Sequence, residues 1–258
     1  MELVKRMALP AIAGWFAFYG SFFLYLVELQ KYLVNPNERI ASVVLGVATA
    51  GLLLTLFMHS ILTAVIASVA LGRPVRGWTY FSVTRREWRV YAAYLRFLVL
   101  CAAVIAVVQF AVFGAHLLGA RLGFLTEAAL TGGLGFIMVR TGMLIAPVAV
   151  ARDEGEIVRE SWRLSKGSFW RMAATMVPIL ALGLAIEALG EEAVRATGLF
   201  GTPALTLVDF VADYRASLPA ILLLVGVAYL LSVILMTAAA VSVYRQIENQ
   251  RAGDASTP

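Results

Sequence analysis

Cysteine is nearly missing from this chain of 258 residues: Cys101 stands alone, which excludes a disulfide framework and any cysteine-based metal site. Histidine is almost as scarce. His59 and His116 are too few to complete a metal centre, and no pair of intramembrane acids supplements them. Charged residues make up 14% of the chain, against ~25% in an ordinary soluble domain. The sequence also lacks a Walker loop, a glycine-rich dinucleotide turn and a serine nucleophile motif. We therefore expect no catalytic residue, no metal and no cofactor.

What fills the chain is apolar surface. Hydrophobic residues make up 61% of it and the mean hydropathy is +0.84. The apolar residues lie in long blocks rather than in two-residue or 3.6-residue stripes, so they suit lipid rather than one face of a soluble element. A bilayer core ~30 Å thick needs ~20 residues of helix. On that ruler, spans are expected over residues 9–29, 40–71, 90–118, 124–151, 170–189 and 218–244. Blocks of this length suit helices and not the short alternating strands of a barrel, and only those two structures satisfy every backbone group in lipid. The expected fold is all-α: a polytopic membrane protein with six transmembrane helices forming one domain over residues 1–250, followed by a short polar tail over 251–258. Too little chain remains for a separate soluble enzyme module. The first block follows Lys5 and Arg6 but is too long for a secretory signal and lacks a small-residue cleavage site, so it reads as an uncleaved span.

Orientation follows from Lys and Arg at the span ends, because cytoplasmic loops retain them. One set of segments holds Lys5, Arg6, Arg73, Arg76, Arg85, Arg86, Arg89, Arg152, Arg159, Arg163, Lys166, Arg171, Arg245 and Arg251. The alternate set holds only Lys31, Arg39, Arg121, Arg195 and Arg215, and Arg96 and Arg140 fall inside spans. The richer side is assigned to the cytoplasm, which puts both termini in the cytoplasm and requires an even number of spans. The net charge of +5 thus describes one face. Its cations flank spans rather than forming a free patch, so the expected partners are anionic lipid headgroups or a membrane protein, not nucleic acid.

The two larger cytoplasmic loops end alike, in Trp88-Arg89 and in Trp170-Arg171 at the mouth of the next span. Chance similarity at two interfacial anchors and a parallel repeat of helix-loop-helix units both account for this. Between Asp153 and Trp170 a helical wheel gathers Ile157, Val158, Ser161, Trp162, Leu164 and Ser165 on one side, with Glu156, Arg159, Glu160, Arg163 and Lys166 opposite. Asp153 is expected to cap this helix, with Glu156 completing a capping box and Gly167 stopping it. It reads as an amphipathic helix on the cytoplasmic interface. Trp88, Arg89, Arg159, Trp162, Arg163, Lys166, Trp170 and Arg171 are the expected headgroup contacts. On the outer side, Leu207, Val211, Tyr214 and Leu218 form a stripe suited to resting on the other leaflet.

Arg140 stands out. Twelve residues separate it from Arg152, which places it ~18 Å deep at 1.5 Å per residue, beyond snorkelling reach. On the same ruler Glu187 lies ~24 Å from the cytoplasmic end of its span and His59 ~21 Å from its own. Arg140, Glu187 and His59 are therefore a candidate intramembrane polar cluster, with a functional and a structural reading both open. Gly132, Gly133, Gly135 and Gly142 would admit a neighbouring helix beside Arg140. Pro147 and Pro178 are candidate kinks.

The run Pro147-Val-Ala-Val-Ala-Arg-Asp-Glu-Gly155, followed by Arg159-Glu-Ser-Trp-Arg-Leu-Ser-Lys-Gly-Ser-Phe-Trp-Arg171, resembles the signature of a bacterial six-span membrane domain. That domain is found attached to some glycerophosphodiester phosphodiesterases and in stand-alone relatives of unknown function. The similarity covers roughly residues 136–180, and Ser242-Val-Tyr-Arg245 is compatible with it. It implies the same six-helix fold, in the bacterial inner (cytoplasmic) membrane, but no phosphodiesterase activity, since the catalytic domain has no counterpart here. The expected function is that of a non-enzymatic scaffold or accessory membrane protein engaging lipid or a partner. The alternative is a small transporter with an anionic-solute site near Arg140.

Overall fold

The computed structural model describes residues 2–73, 84–152, 155–196 and 230–252, and every regular element among them is helical. They are α1 (Glu2–Val34), α2 (Glu38–Ala70), α3 (Arg85–Leu118), α4 (Ala120–Ile137), a π-helical turn (Met138–Gly142), α5 (Ile145–Ala151), α6 (Ile157–Leu164) and α7 (Phe169–Ala196), then α8 (Leu230–Ala252). Four stretches are long and apolar enough to cross a membrane: Ile12–Val34, Glu38–Ala70, Arg85–Ala115 and Leu230–Ala252. The outer stripe from Leu207 to Leu218, the first part of the sixth expected span, Asp153 and most of the loop before Thr84 lie outside the described residues.

The helices gather into two compact units, each assembled from segments distant in sequence. The first unit takes α1, α2 as far as Leu62, α7 from Pro178 onward and the start of α8. Its α1–α2 hairpin turns at Asn37, whose Oδ1 accepts the Arg39 N–H at 2.8 Å, the usual way to satisfy a first-turn donor. Farther along, α1 and α2 approach so closely at Ser21 and Gly51 that a Cβ added to Gly51 would lie 2.6 Å from Ser21 Cβ. Small residues permit such backbone approach between apolar helices, where packing has to replace hydrophobic drive.

The second unit is built around α5. Every residue from Ile145 to Val150 is buried, as expected of a helix that is apolar all round. Around it pack Ala64 and Ala67 of α2, Val90, Ala93, Phe97 and Cys101 of α3, Ile157 and Leu164 of α6, Met172 and Met176 of α7, and Ala240, Val241, Tyr244 and Ile247 of α8.

The fourth expected span is not one continuous helix. The Pro147 ring would clash with the carbonyl four residues earlier, that of Met143, and Pro lacks the N–H for that bond. The chain answers by breaking before it: Leu144 sits at φ −92°, ψ −2°, and Pro147 falls in the first turn of α5, where it is tolerated. Pro178, by contrast, lies inside an uninterrupted α7. Of the glycines expected to admit a neighbour, Gly142 does so, with a Cβ there 3.1 Å from the Phe97 ring. An added Cβ at Gly132, Gly133 or Gly135 meets nothing within 4 Å among the described residues.

Helix α6 begins at Ile157, with Glu156 at its N-cap position and no side-chain capping bond. The Glu156 carboxylate is turned instead to Arg96 on α3, 3.0 Å away. Burial falls on Ile157, Ser161 and Leu164, a spacing of four and three that turns one face toward α5. The chain then leaves the helix through Gly167 at φ +83°, a left-handed conformation that favours glycine.

Candidate functional site

Arg140 occupies the π-helical turn, an irregularity that frequently accompanies functional positions. Its side chain lies against the end of α6. The Nε–H donates to Ser165 Oγ at 3.1 Å, and the Ser165 hydroxyl in turn donates to the Trp162 carbonyl at 2.8 Å. The guanidinium carbon stands 3.8 Å from the centre of the Trp162 ring and 5.6 Å from that of Phe136. A planar cation over an indole face gains both quadrupole attraction and stacking. The aromatic support continues: Phe136 contacts the Trp162 edge and packs 4.5 Å from Phe169, which contacts Trp170.

These partners differ from those suggested by depth along the helices. The ~18 Å depth assumes one straight helix between Arg140 and Arg152, and the π-helical turn and the break at Leu144 remove that ruler. Arg140 is held within the second unit by Ser165 and Trp162, whereas His59 and Glu187 belong to the first. The Glu187 side chain lies outside the described ones. The wheel assigned Trp162 to the apolar side of α6, but the indole is 40% exposed and carries the Arg140 guanidinium over its face. Ser165, placed on that same side, is buried as the wheel suggests. Sequence reasoning did not connect Ser165 or Phe136 to Arg140. The available signal was the four-residue spacing of Phe136 and Arg140, which puts both on one side of a helix.

Among the other cations, two sets stand out. Several are spent on helix C-termini, whose last carbonyls have no partner within the helix. Arg73 donates to Ala151 O at 3.1 Å, Arg251 to Arg163 O at 3.3 Å, Arg89 to Arg152 O and Arg245 to Ala70 O. Arg89, an expected headgroup contact, is thus turned inward. A second set forms an ion-pair network: Arg152 bridges Glu160 at 2.6 Å and Glu248 at 3.2 Å, and Arg163 meets Glu160 at 2.8 Å. The hydrogen bond from Arg163 holds the Glu160 carboxyl below its ordinary range against the opposing effect of burial, with Arg152 and Arg251 adding to it. At Arg152 burial opposes the charge, but the hydrogen bond with Tyr244 and the charges of Glu160 and Glu248 outweigh it and raise the pKa. The network borders a cleft of about 380 Å³ lined by Arg152, Arg159 and Arg163 with Glu156 and Glu160. A second cleft, of about 240 Å³, is lined by Arg89, Arg96 and Glu156.

The remaining expected contacts face outward. Trp170 is 80% exposed and Trp88 53%, each in the first turn of its helix, and Arg159, Lys166 and Arg171 are exposed as well. Around Arg140 the described residues thus offer a stacked guanidinium, a neighbouring lysine and surface indoles. This combination suits recognition of an oxyanion at an apolar boundary. No family model, no curated protein and no solved structure matches the chain.

Proposed function

We propose that this chain is a non-enzymatic integral protein of the bacterial cytoplasmic membrane, with six spans and both termini in the cytoplasm, related to the six-span domain its 147–171 segment resembles. Its basic, tryptophan-bearing face engages anionic lipid headgroups, and the protein serves as a scaffold or accessory component there. The observation that carries this reading is the division of residues on α6. Ile157, Ser161 and Leu164 are buried within the second unit, whereas Arg159, Trp162 and Arg163, with Lys166 just beyond the helix, are exposed. Such a division supports a helix docked on the protein by its apolar side with its cations toward headgroups. Large exposed side chains along α3, among them Val99, Val107, Phe110 and Phe113, support a lipid surrounding, since soluble monomers seldom leave such a contiguous apolar strip uncovered.

The transporter reading requires a hydrated cavity at Arg140. The stacking of Arg140 on Trp162 favours a fixed rather than a transiting contact. Native mass spectrometry of the purified full chain tests the proposal by comparing co-purified phospholipid in the natural protein and in a variant carrying Arg159→Gln, Arg163→Gln and Lys166→Gln. The expected result is loss of anionic lipid from the variant with its helical content intact. Equal retention in the two proteins would refute headgroup engagement by this face.

A further inference from the structure

Arg140 differs from the arginines of the second unit that are committed to helix carbonyls or to carboxylates, such as Arg73, Arg89, Arg152 and Arg245. Its contacts among the described residues are neutral: Ser165 Oγ and the Trp162 and Phe136 rings. Among the described residues, its hydrogen bond is made through Nε alone. The N–H groups on Nη1 and Nη2 form the outer edge of a planar fork, and that geometry matches two oxygens of one phosphate. The side chain remains partly exposed, so that edge is reachable. Stacking on Trp162 restricts the plane of the fork and reduces the ordering cost on binding.

A second observation concerns what lies beside it. Trp170, Ala174 and Val177 are exposed at successive turns of α7, at i, i+4 and i+7, which makes them one apolar track along a single face. Trp170 is tied to the Arg140 site through Phe169 and Phe136. Exposed Lys166 follows Ser165 directly. The site thus joins a cationic fork to an apolar strip, as a molecule with a phosphate head and an acyl tail requires.

We propose that Arg140, stacked on Trp162 and steadied by Ser165, binds the phosphate group of one anionic phospholipid, with Lys166 adding charge and the α7 track receiving an acyl chain. The proposal rests on the lipid-engaging reading above and gives it a specific site. A free phosphate ion offers the fork the same oxygens but has nothing to lay along Trp170 and Val177.

The test is native mass spectrometry of the full chain in detergent, titrated with phosphatidylglycerol or with inorganic phosphate. The natural protein is expected to hold one phosphatidylglycerol under collisional activation. Arg140→Gln should weaken that retention about tenfold or more, the usual scale for losing charged hydrogen bonds. Arg140→Lys keeps the charge but not the fork, so it should weaken retention as well, and it covers the case in which the glutamine variant fails to fold. Val177→Ser should lower retention of phosphatidylglycerol alone. If Arg140→Lys binds the lipid as tightly as the natural protein, the site is refuted. An Arg140-dependent adduct formed by inorganic phosphate, with no lipid retained, would reassign the site to a free anion and overturn the proposal. Loss of lipid from Arg159→Gln/Lys166→Gln but not from the Arg140 variants would leave the broader face engaged and remove this site. Retention unaffected by either set would remove both.

Discussion

The contact between Gly51 and Ser21 allows a prediction that can be worked through numerically. Replacing Gly51 by alanine puts a methyl carbon 2.6 Å from Ser21 Cβ and 2.8 Å from Ser21 Oγ. Ordinary carbon contacts lie near ~3.5–4.0 Å, so α1 and α2 have to separate by roughly 1 Å at this point. Overpacking of that order costs about 1–3 kcal/mol, which for a chain of this size is a fall of roughly 2–10 °C in Tm. Alanine also favours helix over glycine by ~1 kcal/mol, so the intrinsic effect has the opposite sign and a loss cannot come from propensity. Ser21→Gly removes both close atoms and leaves the Ser21 Cα at 3.8 Å, an ordinary contact. The double variant should therefore return close to the natural protein, because the ~1 kcal/mol cost of a helical glycine at position 21 offsets the similar gain from alanine at position 51. Thermal unfolding in one detergent, followed by circular dichroism, measures all four proteins of the cycle. A Gly51→Ala protein as stable as the natural one, or a double variant no better than the single, would refute the close approach of these helices.

Other expectations concern the second unit. The Glu160 carboxyl is held below its ordinary range, so it stabilises the fold fully above that range and the contribution is lost as pH falls through the lowered value. Tm should drop on acidification below about pH 4, and the drop should be smaller in Glu160→Gln; identical pH profiles would contradict the pairing. Arg152→Met leaves partly buried Glu160 and Glu248 short of a partner and should cost about 1–2 kcal/mol, between the exposed and buried extremes. A double-variant cycle with Glu160→Gln that gave no coupling would count against the network. Ser161 Oγ is buried without a hydrogen-bond partner among the described residues. Ser161→Ala should therefore leave Tm unchanged or raise it, since removing an unsatisfied hydroxyl relieves its desolvation cost; a clear fall would show that the hydroxyl has a partner.

Composition and block length determined a great deal about this protein. Apolar blocks of more than ~20 residues can only be helical if they are to satisfy their backbone in lipid, and the long helices α1, α2, α3 and α8 follow directly. The stop at Gly167 was equally legible, because a positive φ at a helix end is a local property of glycine. The buried face of α6 was readable in part from spacing, for the period of a helix does not depend on its neighbours. What the tertiary structure alone decided are the partners. Whether Arg89 meets a headgroup or the Arg152 carbonyl, whether Glu156 caps its own helix or pairs with Arg96, and whether Trp162 lies in the core or beneath Arg140 depend on the rotation and order of helices, which hydropathy does not encode. The break before Pro147 belongs to both levels. Proline forbids the hydrogen bond locally, but that the π-helical turn meets Ser165 through Arg140 depends on α6 lying beside it.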